Sequence, residues 1–234
     1  DVGDAMGEHP AVGVKHAHWG RNNPVPPPDR NDLRPLQRAI EAAAIMDGYF
    51  MLDGTFSEVT APLFRPGDVY THAFTGSLVD STGNIKSFVV DAQRRGVIFD
   101  VGHGGGAFKF ANAIPAMKLG FAPNTISSDL HTSSMNGAMK DMSNLLSKFM
   151  AMGLSLQEVI SKATWVPATV IKRPDLGHLS VGAVADVAVF SLRTGDFGFM
   201  DTSRTKIKGT QMLTAELTLR EGRVVWDLNG RAVP

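Results

Sequence analysis

Two short apolar runs of this chain each end in a carboxylate and an imidazole. In FDVGHGGGAFKF (99–110) the run Val97–Phe99 hands over to Asp100 and His103, and in TISSDLHT (125–132) Thr125 and Ile126 hand over to Asp129 and His131. Neutral imidazole offers a nitrogen ligand, and a carboxylate offers an oxygen ligand or a base, so such ends can hold metal or move protons. Two further runs end in ionisable residues, at Lys15 after AVGV and at His72 after GDVYT. Buried parallel strands whose C-terminal ends converge on one face of a barrel give this pattern. Taken singly, each residue has a plainer use: Lys15 at the surface, His72 in a core, Asp129 as a helix cap, and His103 in a glycine turn. Asp100 and His131 read as structural or supporting residues. Their joint recurrence at strand ends makes a metal site the better account.

The elements that must position these groups alternate between strand and helix. Strands are expected at Ala11 to Val14, Tyr49 to Leu52, Gly67 to Tyr70, Gly96 to Val101 and Thr125 to Ser128. Between them, apolar residues spaced by three and four mark helices at Leu33 to Ala44, Ile85 to Arg94 and Ala111 to Leu119. Two more follow at Leu145 to Met152 and Leu156 to Ala163, the last opening at Ser155, a good N-cap. The Pro-rich loop 22–31 cannot be helical. Such alternation argues for a parallel α/β architecture. After about Leu176 the pattern changes to period two, at Val187 to Phe190, Leu213 to Leu219 and Arg223 to Trp226, which predicts a small antiparallel β-unit.

Composition narrows the class. The 234 residues are 43% hydrophobic and 20% charged, with 23 basic and 23 acidic side chains, so neither nucleic acid nor an anionic membrane is the expected partner. No apolar stretch approaches the ~20 residues of a membrane helix. Cysteine is absent, which removes disulfides and thiolate ligands from consideration. The polar DVGDAMGEHP start is not a secretory leader, and a cytoplasmic protein is the expectation.

GHLSVGAVADVAVF (177–190) resembles the closing signature of the amidohydrolase superfamily. Within it VGVK (12–15), LRPLQRAIEAA (33–43), RPGDVYTHAFTG (65–76), FDVGHGGG (99–106) and SSDLHT (127–132) are similar, in order, to the deacetylase branch of dihydroorotase-like metallohydrolases. The resemblance implies a (β/α)8 TIM-type barrel, here roughly strands 4–8 over residues 1–176, with a small β-sandwich portion over 177–234. It further implies two divalent metal ions, usually Zn2+, and carboxylation of Lys15 by CO2 so that this residue bridges them. A free ammonium repels a metal, whereas the carbamate is an anionic oxygen donor. His72 matches the sixth-strand ligand, Asp129 the eighth-strand aspartate that binds metal and accepts the proton of the attacking water, and His103 a substrate contact.

The chain also departs from the family pattern. An HxH pair on the first barrel strand is expected of the family and absent here, and Asp53 stands where a fifth-strand histidine ligand is expected. The pair His16 and His18 shares a strand face opposite Lys15 and reads as loop histidines near the site. The resemblance implies a hydrolase that removes an acyl group, acetyl in particular, from an amide or ester of a small carboxylic acid. The rival activity is cyclic-amide hydrolysis of the dihydroorotase or hydantoin type, and the rival class is a non-catalytic homologue that binds or scaffolds. A small-molecule substrate and a homo-oligomer are the expected partners.

Overall fold

The computed structural model describes residues 11–17 and 32–232. Its first layer is a parallel sheet in the order β1 (Gly13–Ala17), β2 (Tyr49–Asp53), β3 (Val69–Tyr70), β4 (Ile98–Phe99). A fifth parallel segment continues it through the bridge Asp100–Thr125, with the backbone N–H groups of Val101, His103 and Gly104 donating to the carbonyls of Thr125, Ser127 and Ser128. Five adjacent parallel segments with helical crossovers form the arc of a (β/α)8 barrel, partial in this chain. The crossovers include α1 (Arg34–Ile45), α2 (Ser87–Arg94) and α3 (Phe110–Lys118).

Several expected strands shift or shrink. The strand expected at Ala11 to Val14 runs from Gly13 to Ala17, and the one expected at Gly96 to Val101 keeps only Ile98 and Phe99. The expected Thr125 to Ser128 strand is reduced to one bridge, with its backbone bonds to residues 101–104 supplemented by those of the Asp100 carboxylate to Thr125 and Ser127.

Aromatic side chains fill the space beneath the strand ends. Phe56 stacks on Tyr70 at 4.7 Å and meets Phe64 and Phe99 edge-on at 5.2 and 5.3 Å. Phe74 continues the cluster to Phe108 and Phe149 at 5.9 and 6.2 Å. Such pairs each contribute roughly 0.5–1.5 kcal/mol beyond their area burial, so the strand tips rest on a stiff floor.

The second layer is an antiparallel sheet of β5 (Val187–Met200), β6 (Lys206–Arg220) and β7 (Arg223–Asp227). Among the described residues it is one three-stranded sheet, the small antiparallel unit expected after about Leu176. Its strands run well past Phe190 and begin well before Leu213. Along the chain between the two sheets come α4 (Met142–Ala151), α5 (Leu156–Ala163) and the short α6 (Trp165–Val170). Asp141 caps α4 by accepting from Asn144 N at 2.7 Å, and Ser155 with Glu158 forms the capping box that opens α5. The Leu213 backbone donates to Ser147 Oγ at 2.9 Å, and Phe199 and Leu213 join the same buried cluster as the barrel residues. The antiparallel sheet therefore clamps α4 against the barrel. Among the described residues no helix is long and apolar enough to cross a membrane.

Candidate active site

Asp53 ends β2, and His72 and Asp129 follow the ends of β3 and of the fifth parallel segment, along one rim. Lys15 lies mid-strand on β1, two residues short of the Ala17 that pairs with Asp53, so side-chain reach rather than register brings it to the others. The four form a chain of contacts. Lys15 Nζ is 3.0 Å from Asp53 Oδ2, Asp53 Oδ1 is 3.3 Å from His72 Nε2, and His72 Nε2 is 4.0 Å from Asp129 Oδ2. Asp53 and His72 are largely shielded, at 14% and 15% side-chain exposure, whereas Lys15 and Asp129 are open at 47% and 39%.

The backbone at two of these residues is unusual. His72 and Asp129 both adopt the left-handed region, with φ of 60° and 47°. Each such residue costs of order 1–3 kcal/mol, and the surroundings must enforce it. Asp100, nearly buried, is the enforcing group: it accepts from Thr71 Oγ1 at 2.8 Å, Thr125 Oγ1 at 2.6 Å and Ser127 Oγ at 2.7 Å. One carboxylate thus ties together the residue before His72 and the segment that leads to Asp129. The glycines leave room for the same two side chains. A Cβ on Gly102 would sit 2.3 Å from Thr71 Oγ1 and 2.7 Å from His72 Nδ1, and one on Gly104 would sit 2.5 Å from Asp129 Oδ2.

The electrostatics follow from these contacts. His72 Nδ1 donates to the Gly102 carbonyl at 2.6 Å, which turns Nε2 toward Asp53 and Asp129. Burial disfavours the charged ring, but the bonds to Asp53 and Gly102 and the nearby carboxylates outweigh it and raise the His72 pKa. The Asp53 carboxyl is held well below its usual range, first by His72 and then, against burial, by Lys15. A neutral His72 would aim its Nε2 lone pair at two anionic oxygens. A proton or a cation must therefore occupy that gap.

That donor chemistry, one imidazole nitrogen and two carboxylates, suits a divalent ion. Among the described residues no three His, Cys, Asp or Glu side chains are gathered closely enough to hold one, so this set falls short of a complete shell.

A cavity of about 1260 Å³ opens beside the rim. Asp53, His72, Asp129 and His131 line one end, and Phe56, Tyr70, Phe88 and Leu78 form an apolar wall with Lys86. His131 Nδ1 accepts from Ser133 N at 3.2 Å. Expected only as a supporting residue, it stands in the cavity wall.

His103, expected to touch substrate, is set apart from this group. It is fully buried and absent from the cavity lining, because its ring turns back under the glycine loop and stacks on Phe108 at 4.7 Å. There it accepts from Lys148 Nζ at 2.9 Å, a partner the sequence pattern did not announce. His16, expected in a loop, is instead half-buried within β1, because the strand runs on to Ala17; His18 lies outside the described residues.

A sequence model of the amidohydrolase family matches residues 105–226. The chain is 37% identical over 144 residues to a deacetylase of Brucella anthropi, covering 60% of this chain and 36% of that protein. It is 32% identical over 146 residues to a deacetylase of Enterococcus faecalis, covering 60% and 40%. It thus spans less than half the length of the curated relatives it matches. Among solved structures it resembles an adenine deaminase, with TM-score 0.82 and 26% identity over 93% of this chain and 60% of that one. It also resembles a dihydroorotase, with TM-score 0.75 and 25% identity over 95% and 59%. The chain belongs to the amidohydrolase family.

Proposed function

We propose that this chain forms the catalytic rim of a metal-dependent hydrolase that removes an acyl group, acetyl in particular, from an amide or ester of a small carboxylic acid. The observation that carries the proposal is the orientation of His72, pinned at Nδ1 and facing two carboxylates through Nε2. The deacetylase names of two relatives support the choice of acyl group.

His72 Nε2 and Asp129, with Asp53 and a carboxylated Lys15, are the groups that would hold divalent ions, zinc by family resemblance. The chemistry such ions would supply there is polarisation of the scissile carbonyl and a water acidic enough to lose a proton near neutral pH. Asp129 receives that proton and returns it to the leaving amine or alkoxide. Carboxylation would turn Lys15 from a cation paired with Asp53 into an anion facing it. That form is stable only with positive charge between the two, so carboxylation and metal loading are coupled. The apolar wall of Phe56 and Tyr70 excludes water from one side of the reacting group.

A second reading, hydrolysis of a cyclic amide, is favoured by the likeness to a dihydroorotase. The test is hydrolysis by the full-length, zinc-replete protein of a panel of acetyl esters and N-acetyl amides of small carboxylic acids, beside dihydroorotate and a hydantoin. Turnover of the open-chain acetyl compounds, lost on chelation and restored by zinc, is expected. Preference for the cyclic amides moves the activity to the second reading. Failure on every compound overturns both and leaves a binding or scaffold homologue.

A further inference from the structure

Lys148 lies on α4 with no solvent exposure. Burying an ammonium is expensive, of order several kcal/mol, unless what it bonds repays the cost. Its Nζ donates to two acceptors, His103 Nε2 at 2.9 Å and the Ala138 carbonyl. His103 is equally buried, and its Nδ1 lies 2.9 Å from the Gly104 carbonyl. A carbonyl only accepts, so Nδ1 carries the hydrogen and Nε2 is the lone pair that Lys148 meets. The pair fixes one tautomer of one ring.

That ring anchors the loop from behind. The backbone N–H groups of His103 and Gly104 donate to Ser127 and Ser128 carbonyls at 3.1 and 3.0 Å. On one side the Gly102 carbonyl holds His72 Nδ1; on the other the bare Cα of Gly104 abuts Asp129. Residues 102–104 are thus a shared wall for both groups. Lys148 is itself fixed, because its neighbour Ser147 accepts from Leu213 in the antiparallel sheet. Burial first, then the Lys148 charge, brings the His103 pKa down to about 4, which keeps Nε2 an acceptor.

We infer that Lys148 is a positioning residue that acts through His103 on the Gly102–Gly104 loop, setting the orientation of His72 and the place of Asp129. The inference rests on the proposed function of those two side chains. Lys148 touches neither the cavity nor the rim, so it takes no part in the chemistry itself.

The test uses the full-length protein and its Lys148→Met, His103→Phe and double variants. Zinc affinity is measured by chelator competition, and ligand geometry by the visible spectrum of the Co2+-loaded protein. Each single variant should weaken zinc binding by about 10–100-fold, the scale for groups that orient ligands, and alter the Co2+ bands. The double variant should be no worse than either single, because both cut the same link. Folded variants with wild-type affinity and spectrum, or losses that multiply in the double, overturn the inference. Should the variants fail to fold, 15N NMR of the wild-type His103 ring still decides. Hydrogen on Nδ1 supports the link and hydrogen on Nε2 breaks it. A wild-type protein that binds neither zinc nor Co2+ defeats the proposed function, while the ring measurement still tests the anchor.

Discussion

Asp53 Oδ1 lies 3.3 Å from His72 Nε2, while its other oxygen lies 3.0 Å from Lys15 Nζ. The residue that departs from the family's expected histidine therefore stands between Lys15 and His72. A carboxylate there keeps an oxygen donor in the place of a nitrogen donor. Asp53→Ala removes the shared partner of both neighbours. Zinc affinity of the full-length protein should fall at least about tenfold, as measured by chelator competition; unchanged affinity would make Asp53 a bystander.

Asp129→Asn keeps size and removes the carboxylate proposed to take the proton of water. A loss in kcat of at least ~10²-fold is expected, the usual scale for a general base. Near-wild-type turnover would assign the proton transfer elsewhere.

Lys15→Ala should abolish most hydrolysis, with partial rescue by short carboxylic acids that supply the missing oxygens. Metal reconstitution without bicarbonate should lower the activity of the unmodified protein. Full activity of Lys15→Ala removes that residue from the mechanism.

Asp100→Ala strands the hydroxyls of Thr71, Thr125 and Ser127 in a nearly buried place. Leaving such groups unsatisfied costs about 1–3 kcal/mol each, lessened where water enters. A loss exceeding about 2 kcal/mol by denaturant titration is expected, and a change within experimental error would show that the clamp is slack.

The buried Lys148 gives stability a pH dependence of known sign. Burial, then the charge on Lys140, lowers its pKa from 10.5 to about 7 against the opposing pull of Asp201 and Asp141. Between those values the unfolded chain binds a proton that the folded chain does not. Its contribution therefore disfavours folding more as pH falls from above 10.5 toward 7, and levels off below. Denaturant titrations at pH 7 and 9.5 should show the gap between Lys148→Met and wild type shifting in favour of wild type at the higher pH. A pH-independent gap would contradict the buried, depressed state.

Much of the barrel was legible because strand and helix periods differ along one chain. Lys15, His72 and Asp129 stood out since each ended an apolar run. Other parts left no such trace. Lys148 sits in the helical run LLSKFM, where a lysine normally marks the solvent side, and only tertiary packing turns it inward. His103 follows a strand and precedes glycines, a pattern that signals an open loop, yet its ring folds back onto Phe108. The Asp100 clamp depends on hydroxyls from three separate stretches, and sequence spacing does not bring them together. The inner halves of β5 and β6 carry TGDFG and KIKGTQ, which lack apolar alternation, and an irregularity between Thr194 and Phe197 breaks the register.

The most direct test of the metal-centred account is elemental analysis of the full-length protein purified without chelator. About two equivalents of zinc or another divalent metal per chain are predicted, retained on dialysis and lost from His72→Ala. Protein that stays metal-free after reconstitution with zinc and bicarbonate would contradict it.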